Sequence, residues 1–341
     1  MKSIIAGLLI FVSVINCFGQ ANSFNDYMSQ GISFHDEGKY DEAIGMYKKA
    51  LELDPKSSVT NYEISLTYFT KQDWAQAIEY GKNVINLNTG NRLEAFVVLG
   101  SSYDMLGDTK HAISTYVKGL KEFPQNHLLN YNLALTYYNS GNQEKAEKAV
   151  IKAITLKPTH GSSHLLLSAI MNKNGSRVQS LLPLYYFLMI EPISKRSNQN
   201  YQTLKSKLGF GVEQKDEKNI NVNLPMSKRT DSEFRATDMM ISLTAASKYL
   251  EENKGKTEFE LFSETNKSIF TILGELKGKN EGFWWDFYVT SFYDLVNSDN
   301  VEAFSYYISQ SEKSDLINKW ITDNATKIQG LTNWIEKKHF R

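Results

Sequence analysis

The stretch that decides the fold runs from residue 27 to residue 55 and reads YMSQGISFHDEGKYDEAIGMYKKALELDP. Apolar residues recur on both sides of Gly38 at the spacing of amphipathic helices. Gly38 suits the left-handed turn that ends a helix, and Pro55 suits the stop of the next one. The stretch therefore predicts two short helices joined by a glycine turn.

The same pattern recurs downstream with four landmarks, namely a small residue, a turn glycine, an alanine and a proline. The landmarks of the first, third and fourth copies are Gly31, Gly38, Ala43 and Pro55, then Gly100, Gly107, Ala112 and Pro124, then Ala134, Gly141, Ala146 and Pro158. A weaker second copy keeps Ser65 and Ala77 but has Thr89 where the proline would stand. A fifth copy ends at Pro192, and Pro183 is expected to interrupt its second helix.

This pattern resembles the tetratricopeptide repeat, a helix-turn-helix unit whose 34-residue period separates Pro124 from Pro158. The resemblance implies an all-α fold in which a solenoid of helical hairpins is followed by a C-terminal helical domain, because one hairpin alone cannot bury its apolar face. The landmark residues are interpreted as structural. The solenoid is expected over 24–194, in units at about 24–57, 58–92, 93–126, 127–160 and 161–194.

The resemblance also implies which residues bind a partner, since the second, fifth, ninth and twelfth positions of each repeat line the concave face. The predicted groove residues are Met28, Ile32, Tyr62, Leu66, Phe69, Val97, Tyr131, Leu135 and Tyr138. Their apolar and aromatic character excludes the family's clamp for a C-terminal carboxylate, which needs Lys and Asn. It favours a protein or peptide segment instead. Another part of the same chain is the alternative occupant.

Beyond the repeats, 195–229 is predicted to hold a capping helix and an extended linker, and 230–341 a second helical domain. Thr230 and Glu233 have the spacing of a capping box at its start. The expected helices span about 231–252, 258–276, 283–296, 300–311, 313–323 and 325–339. The aromatic segment around Trp284 and Trp285 is interpreted as core or domain interface, with a glycan-stacking platform as the alternative.

The first residues predict export. Lys2, an apolar run over 4–15 and small residues before Gln20 have the layout of a signal peptide over 1–19. The run is too short for a membrane span, so the mature chain is expected to have none. Cys17 is the only cysteine, and a lipid anchor there is the less favoured alternative. The segment resembles those of proteins exported by Bacteroidetes-type bacteria, which implies the periplasm or cell envelope.

No catalytic, cofactor-binding or metal-ligating residue is predicted. The sequence lacks a phosphate-binding glycine loop, a His-Glu-x-x-His helix and a Gly-x-Ser-x-Gly elbow. His160 and His164 are four residues apart, but Gly161 lies between them and no carboxylate is near in sequence. The formal net charge of zero gives no electrostatic footprint for nucleic acid. The sequence therefore predicts an exported, non-enzymatic scaffold or adaptor, with a glycan-binding or glycan-cleaving cell-envelope protein as the alternative.

Overall fold

A computed structural model describes residues 23–216, 219–223 and 232–339, and most of them are helical. The predicted signal peptide, Cys17 and the proposed cap at Thr230 lie outside these ranges. The chain forms two compact units, the first ending at Leu99 and the second beginning at Gly100. The predicted fold class, all-α helical-hairpin repeats followed by a C-terminal helical region, is confirmed.

Ten helices follow one another in five pairs. They are α1 (Phe24–Asp36), α2 (Tyr40–Leu53), α3 (Ser58–Thr70), α4 (Trp74–Leu87), α5 (Arg92–Met105), α6 (Thr109–Glu122), α7 (His127–Asn139), α8 (Gln143–Leu156), α9 (Gly161–Lys173) and α10 (Arg177–Ile190). The first helix of four of these pairs ends at a glycine with φ between 76° and 84°, and Gln72 holds the same place in the second pair with φ 67°. These turns need the left-handed backbone that glycine adopts without strain.

Small residues let the two helices of a pair approach closely. A Cβ atom added at Gly31 would overlap the Tyr47 ring, and one added at Gly100 would overlap the Tyr116 ring. Where the first helix has a serine instead, its hydroxyl bonds the second helix. In the second pair, Ser65 donates to the Ala77 carbonyl at 2.8 Å, and in the fifth pair Ser168 donates to the Ser180 carbonyl at 2.7 Å. The small residues at these four positions therefore contribute to the packing of the helix pairs.

The C-terminal part of the second unit continues with helices. They are α11 (Ser197–Gly209), α12 (Arg235–Ser247), α13 (Glu258–Lys277), α14 (Thr290–Asn297), α15 (Val301–Ile308), α16 (Asp315–Asp323) and α17 (Ala325–His339). A π-helical turn over Trp284–Val289 precedes α14. These bounds agree with the predicted helices to within a few residues, except that the first predicted helix stops at residue 247.

One expectation was wrong, and one feature was not predicted. After α11, β1 (Val212–Gln214) and β2 (Ile220–Val222) pair antiparallel, Val212 opposite Val222, in a segment for which only a cap and an extended linker were expected. Pro183 does not interrupt its helix, since α10 runs continuously across it. Residues on every side of α10 are buried, so packing against its neighbours compensates for the hydrogen bond that proline cannot donate.

Candidate protein-binding faces

The first unit exposes part of the predicted stripe on α3. Tyr62, Leu66 and Phe69 are each half-buried and lie on one side of this helix, at the spacing i, i+4, i+7. On α1, Ile32 is 44% exposed, and Val97 on α5 is half-buried. These aliphatic and aromatic side chains remain available for contact at positions where the scaffold residues around them are buried.

Met28 differs from the other predicted groove residues of this unit. It is only 8% exposed and belongs to the core formed with Ala43 and Tyr47. The Thr60 hydroxyl contacts its sulfur at 3.2 Å. Met28 therefore packs α1 against α3 and offers little surface to a partner.

Acidic residues accompany the stripe of the first unit. Burial raises the pKa of Tyr62, and the charges of Glu63 and Glu94 raise it further. The pKa of Glu63 is itself raised, first by burial and then by the neighbouring charge of Asp36. These acids were not predicted from the sequence. A signal was nevertheless present, since residues 24–36 and 58–70 contain no Lys or Arg.

The second unit carries the other stripe on α7. Tyr131, Leu135 and Tyr138 are half-buried and pack against the core of this unit. The Tyr131 ring meets His160 edge to face at 5.0 Å, and the Lys173 ammonium lies 5.3 Å above the Tyr138 ring. This stripe is aromatic like the one on α3, but its helix contains no Asp, Glu, Lys or Arg.

The two histidines near this stripe are held by hydrogen bonds. His164 shares one with the Tyr288 hydroxyl at 2.6 Å and one with the Pro158 carbonyl at 2.8 Å. Burial lowers the pKa of His164 to about 3 and that of His160 to about 4, so both rings are neutral at pH 7. Within the described ranges, no three His, Cys, Asp or Glu side chains are grouped to hold a metal ion.

The paired tryptophans serve different purposes. Trp285 is 3% exposed, stacks on Phe234 at 4.8 Å and donates its indole N–H to Glu233 Oε2 at 2.9 Å. Trp284 is half-buried and stacks on Tyr288 at 5.6 Å. Trp285 is therefore part of the core, and one face of the Trp284 indole is covered by another ring of the same unit.

These features define the class of protein as one built from helical-hairpin repeats that present aromatic stripes on their first helices. Two of the repeats match family models described as tetratricopeptide repeat, one over residues 26–57 and the other over residues 128–160.

Relatives share the repeats over part of their length. The TPR repeat-containing protein MJ1428 of Methanocaldococcus jannaschii is 27% identical over 139 residues, which is 41% of this chain and 24% of that protein. The BBSome complex member BBS4 of Bos taurus is 26% identical over 138 residues, or 40% of this chain and 26% of that protein. The chain thus spans about a quarter of the length of these curated relatives.

Solved structures show similar helix arrangements over about half of the chain. A crystal structure of MamA protein is 27% identical, with TM-score 0.44, and the match covers 49% of this chain and 91% of that one. YrrB, described as a TPR protein with an unusual peptide-binding site, is 17% identical, with TM-score 0.42, and the match covers 53% of this chain and 91% of YrrB. Among the helices that the structure describes, none has the length and apolar character required to cross a bilayer.

Proposed function

We propose that the chain is a non-enzymatic adaptor that binds segments of other proteins through the stripe on α3 in the first unit and through the stripe on α7 in the second. The observation that carries the proposal is a repeated pattern: Tyr62, Leu66 and Phe69 occupy the same repeat positions as Tyr131, Leu135 and Tyr138. All six side chains stay half-buried. Aromatic side chains dominate the binding energy of protein interfaces, and an apolar stripe suits an extended peptide or an amphipathic helix.

The adaptor is proposed to act outside the cytoplasm, in the periplasm or cell envelope of a bacterium. The support for this step is the signal-peptide layout of the first nineteen residues, with the lipid anchor at Cys17 as the alternative form. Cell fractionation that found the protein in the cytosol would contradict this localisation without affecting the binding proposal.

The test is capture of a partner by the double variant Tyr62→Ala with Tyr131→Ala. Affinity purification from the native cell envelope, followed by mass spectrometry, identifies what the unaltered chain retains. We expect the variant to lose about 2 kcal/mol of binding free energy per ring, as for interface hot spots, and so to lose the partner. Helicity and melting temperature should stay unchanged, because both tyrosines are only half-buried.

The matched control is Tyr40→Ala with Tyr249→Ala, which removes one half-buried tyrosine per unit away from the stripes. It should retain the partner. Undiminished capture by the stripe variant would contradict the proposal, as would retention by purified peptidoglycan or release of fragments from it.

A further inference from the structure

We propose that the segment bound by the second unit is acidic, with an Asp or Glu side chain placed against Lys173 and Lys207 and an apolar side chain placed on Tyr138. This inference rests on the proposed function and names the chemistry of its partner. The occupant is a peptide segment of another protein rather than a free small anion.

A cavity of about 280 Å³ lies at the Tyr138 end of the α7 stripe. Its lining residues come from the end of α9, the start of α10 and the end of α11, and they are Asn172, Gly175, Arg177, Ser206, Lys207 and Phe210. Asn172 holds the repeat position of Tyr138, 34 residues later. The next residue, Lys173, lies with its ammonium 5.3 Å above the Tyr138 ring. A segment that rests on Tyr138 can therefore place a neighbouring side chain at the cavity.

The charge around this cavity has one sign. Helices α9, α10 and α11 carry Lys173, Arg177, Lys205 and Lys207, and they contain no Asp or Glu. Between residues 148 and 212 the chain has a single acidic residue, Glu191, and Arg196 donates to it at 2.6 Å. The cavity therefore attracts an anionic group and repels a basic segment.

The two lysines that we assign to the partner are not balanced from within the unit. Lys205, one turn from them on α11, is held by Glu258 at 2.5 Å and by Glu312 at 3.4 Å. Among the residues that the structure describes, neither Lys173 nor Lys207 forms such an ion pair. Lys207 donates instead to the side-chain oxygen of Asn172, which is neutral. A carboxylate supplied by a partner would thus meet cations that the fold itself leaves without one.

Arg177 adds a fixed positive charge to the wall of the cavity. It is 7% exposed and donates to the carbonyls of Lys207 and Leu208 at 3.0 and 2.8 Å, so its guanidinium is held at the end of α11. The nearest carboxylate in the described part of the chain, that of Asp238, is 3.9 Å from Arg177 Nε. Burial lowers the pKa of Lys207, and the charge of Arg177 lowers it further. A bound carboxylate would relieve this repulsion between like charges.

These groups fit an acidic side chain next to an apolar one. Each lysine ammonium has three donors, so Lys207 can bind a carboxylate while it keeps its bond to Asn172. Hydrogen bonds between charged groups are about twice as strong as neutral ones. Phe210 is 63% exposed at the cavity, and Tyr138 is half-buried beside Lys173. The site therefore offers apolar surface on both sides of its cations, which suits a peptide better than a free anion.

The test is a random peptide library displayed on phage and selected on the whole chain. Clones that lose binding to Tyr138→Ala are those held by the second unit. We expect these clones to be enriched in Asp and Glu next to apolar residues, and depleted of Lys and Arg, relative to the starting library. Synthetic peptides from this set should bind Lys173→Gln with Lys207→Gln about fivefold more weakly, the upper end for partly exposed ion pairs. Undiminished binding to this variant would overturn the inference.

The matched control is Lys118→Gln with Lys152→Gln, which removes the same charge from exposed sites on α6 and α8. It should bind the peptides as the unaltered chain does, and an equal loss would overturn the inference by assigning the effect to net charge. Because Lys173 is exposed, Lys173→Gln alone should keep the fold and still weaken binding about twofold.

A double-mutant cycle shows whether the carboxylate meets these lysines directly. The same peptides with Asp and Glu replaced by Asn and Gln should bind the unaltered chain about fivefold more weakly. They should bind Lys173→Gln with Lys207→Gln as well as the acidic peptides do. Equal binding of both peptides to the unaltered chain would mean that the site holds a free anion or none, and it would overturn the inference.

The library also separates failure of this inference from failure of the proposed function. Recovered peptides without acidic enrichment, whose binding is lost in Tyr138→Ala, would overturn the inference and leave the adaptor function standing. Peptides that all depend on Tyr62 would overturn the inference and confine the adaptor function to the first unit. Recovery of no peptide above background would overturn both.

Discussion

At the scale of single residues, the repeats keep their spacing by matching volumes across each helix pair. Gly31 faces Tyr47 and Gly100 faces Tyr116, so the glycine leaves the space that the ring fills. In the second pair the tyrosine is replaced by Gly81, and Ser65 takes the glycine's place. The first and third pairs thus combine a large residue on one helix with a small one on the other, whereas the second pair has two small residues, and Leu99 lies beside Gly81.

Gln72 is the residue at which this pattern is strained. Its φ of 67° places it in the left-handed region, which costs a side chain with a Cβ roughly 1–2 kcal/mol. We predict that Gln72→Gly raises the free energy of unfolding of the first unit by about 0.5–1 kcal/mol, after the added entropy of glycine in the unfolded chain is deducted. Urea denaturation measures the change, and Gly38→Gln is the reciprocal variant that should destabilise. A Gln72→Gly protein of lower stability would contradict this account.

The sequence predicted the stripes better than it predicted their surroundings. Tyr62 and Tyr131 could be placed because a helical repeat fixes which positions share a side of the helix. Met28 occupies an equivalent position yet is buried, because Thr60 and the core of the first unit close over it. The raised pKa of Glu63 could not be predicted, because it arises from burial in the folded unit and from the charge of Asp36, 27 positions earlier in the chain.

At the scale of elements, strong periodicity with clear turn residues was sufficient to predict the helices. It was not sufficient where tertiary contacts determine the local structure. The β1–β2 hairpin has strands of only three residues in a polar segment, too short for an alternating pattern to be recognised. It also depends on Gly211, whose φ of 82° lets the Asn223 N–H reach its carbonyl at 2.7 Å. In α10, the burial of the whole helix outweighs the local penalty of Pro183.

The buried contact between His164 of α9 and Tyr288 of the π-helical turn predicts how the stability of the fold depends on pH. His164 is fully buried and neutral, and burial holds its pKa at about 3, below the ordinary value of 6.5. As the pH falls, His164 therefore takes up a proton in the unfolded chain before it does so in the folded chain. The contribution of neutral His164 to the free energy of unfolding is complete above pH 6.5 and is lost as the pH falls towards 3. The loss from this group is at most about 1.4 kcal/mol per pH unit.

Urea denaturation at several pH values between 7.5 and 5 tests this, with His164→Gln as the comparison. The variant should be less stable at pH 7.5, because it loses the bonds to Tyr288 and Pro158, but its stability should fall less steeply with acid. Subtracting the two profiles removes groups that act in the opposite sense, such as Asp238, whose pKa burial raises to about 6. Parallel profiles would contradict the assignment.

At the scale of the whole molecule, the repeats and the C-terminal helices of the second unit share one hydrophobic core. Its buried side chains run from Ala134 in α7 to Ile335 in α17. Tyr185 of α10 meets Phe270 of α13 edge to face at 5.1 Å, and its hydroxyl donates to Asn266 Oδ1 at 2.5 Å. The sequence predicted separate domains on either side of residue 195. The helices of both parts share one core, and we infer that they unfold together.

Phe270→Ala tests this cooperativity. Phe270 is fully buried and stacks on Phe292 at 4.6 Å, so truncation should cost about 3–5 kcal/mol. Hydrogen exchange followed by mass spectrometry should show faster exchange throughout α7–α10 as well as α13–α15, while α1–α4 keep their protection because their core is a separate cluster. Leu316→Ala, at a residue 67% exposed, is the control and should change nothing. Faster exchange confined to residues 232–339 would mean that the C-terminal helices unfold as an independent domain. It would contradict the inference that they unfold together with the repeats.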